Sequence, residues 1–157
     1  MKTDFQKVLE FNKAFGAILN NKPQHNIFDV NPLLVQNRLE LITEEYNELL
    51  DAIKAKSLDL VVDSCIDQIY VLWGCLQAFG IQDGDKAFDL VHQSNMTKFC
   101  KDENEAKLSI EKYKKEGRYI DPSYKLSSNG LYIIYDKDTN KILKSINYKP
   151  VDLSTIL

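Results

Sequence analysis

The sequence predicts a mainly α fold, a four-helix-bundle-type core with an extra C-terminal helix and a small β-hairpin. Three observations carry this. Apolar residues recur at helical spacing through most of the first hundred positions, and proline, glycine and asparagine break them at helix-length intervals. The period changes to short β-rich runs only after residue 130. The third is length: 157 residues with 44% hydrophobic content suffice for one domain that buries its own core.

The first helix is predicted over 3–19, where Phe5, Val8, Leu9, Phe15, Ile18 and Leu19 share helical spacing. Asn20, Asn21, Pro23 and Asn26 end it, and a loop runs to Asn31-Pro32, where proline suits the first position of a second helix over 32–55. Lys54 and Lys56 complement the negative end of that helix. A third helix runs over 58–79 and stops at Gly80; a fourth runs from Asp83 or Asp85 to Ser94. A more polar fifth fills 102–116 and ends at Gly117. Two β-rich runs, 131–135 and 141–146, flank the polar turn 136–140 and read as a hairpin. The expected organisation is a single domain over 1–157, with a helical catalytic core over 1–100 and an extension over 101–157.

Composition narrows the function classes. With 27% charged residues and near-average apolar content, the chain is not a disordered tail, a collagen-like chain or a low-complexity segment. The pI near 5.4 speaks against a binder of nucleic acid duplexes. The net charge of −3 conceals an asymmetry: residues 1–97 hold 8 basic and 14 acidic residues, whereas residues 98–149 hold 12 and 8. Cys65, Cys75 and Cys100 form neither a disulfide framework nor a CxxC zinc site, so a reduced, cytoplasmic protein is expected. The most apolar window, 60–81, contains Asp63, Asp67, Gln68 and Gln77, so no membrane span is expected.

The chemistry concentrates in carboxylates. Glu44, Glu45 and Glu48 fall within about 100° of arc on the second helix, an arc shared with Leu34, Leu41 and Ala52. Glu40, Asn47, Asp51 and Lys54 occupy its solvent side. The third helix is apolar nearly all round, as a helix inside a bundle or against a second subunit would be. Yet Asp59, Asp63 and Asp67 form one stripe on it, and no lysine or arginine lies between Lys56 and Lys86. Carboxylates among apolar residues need a partner, a proton or a metal, and oxygen-only ligands favour Mg²⁺ or Mn²⁺. The bland alternative is a charged helix edge with Asp59 as a cap and Asp63 and Asp67 facing water. Two histidines cannot supply the paired Glu-x-x-His motifs of a di-iron bundle, and His92 reads as a packed or interface residue. At the end of the fourth helix, Asn95 and Lys98 offer an amide and a cation to an anionic ligand.

Glu44-Glu45-x-x-Glu48 followed by Asp63 and Asp67 resembles the all-α nucleoside triphosphate pyrophosphohydrolases of the MazG-like superfamily, whose pattern is EExxE, a spacer, then ExxD. Phosphoribosyl-ATP pyrophosphohydrolases and dimeric dUTPases belong to the same superfamily. Phe11-x-x-x-Phe15-Gly16, Asp67-Gln-Ile-Tyr70-Val71-x-x-Gly74, Ser94-Asn95-Met96-Thr97-Lys98, and Lys141-Ile142-Leu143-Lys144-Ser145 with Tyr148 are similar to the phosphoribosyl-ATP pyrophosphohydrolase-like branch. One departure stands out: Ser64 occupies the usual glutamate position, and Asp63 lies one residue earlier.

The resemblance implies hydrolysis of a (deoxy)nucleoside triphosphate between its α- and β-phosphates, giving the monophosphate and pyrophosphate. It implies Glu45, Glu48 and Asp67 as metal ligands, Asp63 as a ligand or helper of a second metal, and Glu44 as the group that positions or deprotonates the attacking water. Mg²⁺, with Mn²⁺ as a substitute and more than one ion per site, is the implied cofactor. Asn95 and Lys98 would bind substrate, and Phe11 and Phe15 would pack in the core or border a base pocket. A homodimer is expected, both from the apolar third helix and from the resemblance. The competing expectation is a helical dimer that binds nucleotide without catalysis.

Overall fold

The computed structural model describes residues 1–157 and divides them into two compact units, Met1–Ala87 with Ser154–Leu157, and Phe88–Leu153. The chain is mainly helical. Its helices are α1 (Asp4–Phe15), α2 (Ile27–Val30), α3 (Pro32–Lys54), α4 (Leu58–Ala78), α5 (Gly84–Met96) and α6 (Glu103–Glu116). Strands β1 (Pro122–Leu126), β2 (Tyr132–Asp136) and β3 (Ile142–Leu143) follow.

In the first unit, α1 starts on a capping box: Thr3 Oγ1 accepts from the Gln6 amide while Gln6 Oε1 accepts from the Thr3 amide. It ends earlier than the expected residue 19. Gly16 adopts φ +77°, and the Ala17 amide returns to the Asn12 carbonyl at 2.9 Å, a left-handed stop that releases Ile18 and Leu19 from the helix. The expected loop before Asn31 contains the one-turn helix α2, whose Ile27 is buried with Leu34 and Ala78. Asn31 then caps α3 through its side chain, which accepts from the Leu34 amide at 3.2 Å.

The turn 55–57, with Lys56 at φ +54°, folds α4 back along α3, and these two helices form the main packing pair of the unit. Helix α1 lies against α4: Asn12 Nδ2 donates to Gln77 Oε1 at 2.9 Å, Gln77 Nε2 donates to the Phe5 carbonyl, and the Phe5 ring meets Trp73 edge-on. These buried amides satisfy one another, so the polar contact sets register at little cost. Gly80 ends α4 at φ +89°, where a Cβ would stand 1.9 Å from the Lys22 carbonyl oxygen; only glycine fits.

In the second unit, α6 packs on the sheet through Ala106, Ile110 and Tyr113, which join Cys100, Ile134 and Leu143 in one buried cluster. Asp102 caps α6 and Gly117 closes it at φ +63°. The expected hairpin is a three-stranded antiparallel sheet in the order β1-β2-β3. The additional strand β1 begins at a proline and pairs with β2 from Pro122 opposite Asp136 to Leu126 opposite Tyr132. Asp136 is buried and accepts from the Asp121 amide and from Thr139, which ties the residue before β1 and the β2–β3 turn to one carboxylate.

Candidate functional site

Glu44, Glu45 and Glu48 lie on α3, and Asp63 and Asp67 on α4. Glu45 and Asp67 stand equally far in sequence from Lys56, at the centre of the turn, so the folded-back helix brings them level. Glu44, Glu48 and Asp63 are exposed, whereas Glu45 and Asp67 are half-buried. The sharpest feature is Glu45, whose Oε2 is buried without a hydrogen-bond partner. Burial pushes its carboxyl above the ordinary range, and the negative charges of Asp67, Glu48, Glu44 and Asp63 push in the same direction. The other four predicted carboxylates, on both α3 and α4, therefore all act on Glu45.

They do not form a ready-made cage, since no three His, Cys, Asp or Glu side chains are drawn together closely enough to hold a metal ion. The donor set nevertheless fits a hard divalent cation: it consists of oxygens, carries excess negative charge, and includes one buried oxygen that nothing in the chain satisfies.

Asp59 separates from the other two aspartates. Its carboxylate accepts a hydrogen bond from Ser57 Oγ in the first turn of α4, which holds it below its ordinary range; Ser57 and not Asp59 is the N-cap, so Asp59 complements the helix N-terminus without capping it. Asp59 and Asp63 also border an open depression with Leu58, Val62 and Ile66. These apolar residues belong to an exposed face of α4 that continues through Ile69 and Leu72, with Leu58 77% exposed. Within a single chain, α4 is thus not enclosed by a bundle; of its residues only Ser64, Gly74, Gln77 and Ala78 are buried. Phe11 and Phe15 likewise are not core residues. They are exposed and stack on each other at 5.9 Å between ring centres, while Phe11 meets Tyr70 edge-on. His92 is exposed too, so of its expected packed or interface placement the packed one does not hold within the single chain.

Arg38 escaped the sequence reading. It sits two turns before Glu45 on the same face of α3, half-buried, with Nε buried and unpartnered. Its guanidinium lies against Gly74, where a Cβ would come within 3.4 Å of Nη1. A cation at helical spacing from Glu45 within an apolar arc is the signal that would have found it.

Asn95 and Lys98, in the second unit, are joined directly: Lys98 Nζ donates to Asn95 Oδ1 at 2.7 Å. Asn95 is exposed and Lys98 half-buried.

A helical body that sets an EExxE helix against an aspartate-bearing neighbour places the chain among the MazG-like all-α nucleoside triphosphate pyrophosphohydrolases. Within that superfamily, the profile of phosphoribosyl-ATP pyrophosphohydrolase matches residues 8–95, more than half of the sequence, and the chain belongs to this family. The matched stretch contains all five carboxylates and Asn95. The chain is also similar to the uncharacterised protein L479 of Acanthamoeba polyphaga mimivirus, with 29% identity covering 99% of this chain and 96% of the relative. Membership supports a pyrophosphohydrolase activity on nucleotides. No helix is long and apolar enough to cross a membrane.

Proposed function

We propose that this protein hydrolyses a (deoxy)nucleoside triphosphate between the α- and β-phosphates, releasing the nucleoside monophosphate and pyrophosphate. The observation that carries the proposal is Glu45, a carboxylate with a buried, unpartnered oxygen that feels the negative charge of four further carboxylates. A fold does not keep such a group for stability, because ionised and unpaired it costs more than it returns. It is kept to hold a cation.

Glu45, Glu48 and Asp67 would hold Mg²⁺ or Mn²⁺, with Asp63 assisting at the edge of the group. The bound cation would neutralise phosphate charge and acidify a coordinated water. Glu44 extends into solvent beside Glu45 and is the group suited to orient the attacking water and take its proton. Asn95 and Lys98 contribute an amide and a cation for sugar or phosphate, with Lys98 oriented by its bond to Asn95. The exposed apolar face of α4 is suited to a second copy of the chain, so the working form is a homodimer.

The test is a panel of common nucleoside and deoxynucleoside triphosphates with Mg²⁺ or Mn²⁺, scored for pyrophosphate. Metal-dependent pyrophosphate release from at least one nucleotide is the expected result. One observation favours binding without turnover instead: no three ligating side chains stand together in the chain alone. Calorimetric nucleotide binding with no hydrolysis across the panel would establish that second reading.

A further inference from the structure

Within the first unit, a second level of unspent chemistry lies two turns from the carboxylates. Arg38 and Gly74, like Glu45 and Asp67, stand equally far in sequence from Lys56, so the folded-back α3–α4 pair brings them level as well. A Cβ on Gly74 would stand 3.4 Å from Arg38 Nη1 and 3.2 Å from Nδ2 of Asn12 on α1. Glycine inside a helix costs stability, and here its bare Cα leaves the guanidinium room to lie over α4. Arg38 is half-buried, its Nε is buried with no hydrogen-bond partner, and none of the ion pairs includes it. A guanidinium drawn out of water without a carboxylate is costly to keep. Its N–H groups only donate, so whatever completes it must present acceptors.

The neighbouring rings indicate which acceptors. Asp67, Tyr70 and Gly74 follow at i, i+3 and i+7 along one face of α4, so the carboxylate level, an aromatic ring and the guanidinium level share one stripe. Tyr70 meets Phe11 edge-on, and Phe11 stacks on Phe15. Both phenylalanines are exposed, which is costly for rings that pack on nothing further in the chain. Rings beside a guanidinium suit a flat group with a π face better than a bare phosphate. The two levels lie seven residues apart, about 10 Å along the helices. That is the reach of a nucleoside from its α-phosphate to the far edge of its base.

We propose that Arg38 reads the base of the nucleotide, selecting guanine, uracil or thymine, whose edges present carbonyl oxygens, over adenine and cytosine, whose edges present amino groups. This rests on the pyrophosphohydrolase reading and adds the substrate class to it. The guanidinium fork can pair with two acceptors of guanine at once, or with a carbonyl of uracil or thymine. The amino hydrogens of adenine and cytosine would instead meet N–H groups, donor against donor.

The test is calorimetric titration of the full chain, in the presence of Mg²⁺, with the monophosphates of guanosine, uridine, adenosine and cytidine, a measurement that needs no turnover. At least one of the guanosine and uridine monophosphates should bind about tenfold more tightly than both of the others, the scale of one base contact. Arg38→Gln, whose amide both donates and accepts, should erase this preference. Arg38→Lys, which keeps the charge without the fork, should lose most of it. Equal or undetectable binding of all four by the wild type, or a preference that persists in Arg38→Gln, would overturn the assignment. So would an equal loss of affinity for all four in Arg38→Gln, the mark of a contact to phosphate. The expected preference and its loss in Arg38→Gln, in a protein that hydrolyses no nucleoside triphosphate, would overturn the pyrophosphohydrolase reading and leave the base contact standing. Pyrophosphate release with no preference among bases would do the reverse.

Discussion

Replacing Glu45 by glutamine separates what this carboxylate costs the fold from what it does. In metal-free buffer, negative charge on Glu45 is opposed by its burial and by Asp67, Glu48, Glu44 and Asp63. Its folded pKa is raised, so its favourable contribution is fully present below the unfolded value near 4.5 and is lost as pH rises through the folded value. A buried acceptor without a partner costs about 1–3 kcal/mol. Glutamine removes the charge and the repulsion but leaves an amide in the same place, so the gain should fall at the low end, about 1 kcal/mol. For a chain of this length that is a rise in Tm of about 2–4 °C. Saturating cation reverses the order: at a hundredfold excess over Kd the wild type gains about 2.7 kcal/mol, which Glu45→Gln forfeits in large part. The assay is thermal unfolding by circular dichroism at fixed protein concentration, with chelator and with Mg²⁺. A variant that melts below the wild type in chelator, or that gains as much as the wild type from Mg²⁺, would refute the reasoning.

Two further predictions address the same site and its assembly. Glu48→Ala and Asp67→Ala should reduce pyrophosphate release to background while leaving the helical circular dichroism intact, because neither side chain is fully buried; normal turnover in Glu48→Ala would mean that the site is misplaced. Ile66, 54% exposed at the centre of the apolar face of α4, should carry the dimer contact. Ile66→Arg should convert a dimeric mass at micromolar concentration to a monomeric one by light scattering, and a monomeric wild type would remove the dimer altogether.

The helices were legible where periodicity and stop signals agreed. Pro32, Gly80 and Gly117 each mark an end that the fold uses. Legibility failed where a local stop competed with periodicity, as at Gly16, whose left-handed φ overrides the spacing that continues to Leu19. It failed again where an element depends on distant partners. Strand β1 opens on a proline and is stabilised by β2 and by the Asp136 carboxylate, neither of which its own five residues announce. At the site, the EExxE spacing and the aspartate stripe located the interacting carboxylates, but spacing could not distinguish Asp59, which is held by Ser57 Oγ, from Asp63 and Asp67, because all three share one stripe. Phe11 and Phe15 were misplaced for a related reason. Helical spacing shows that they share a face, not that the face is covered. The joining of Ser94–Lys98 to Ser145–Lys149 was beyond sequence reasoning, since tertiary hydrogen bonds alone connect them.

The central claim is that these carboxylates serve cleavage between the α- and β-phosphates. Phosphorus-31 NMR of a nucleoside triphosphate incubated with the protein and Mg²⁺ tests it most directly. The account predicts paired growth of nucleoside monophosphate and pyrophosphate resonances, absent with chelator and absent in Asp67→Ala. Growth of nucleoside diphosphate and orthophosphate would contradict it.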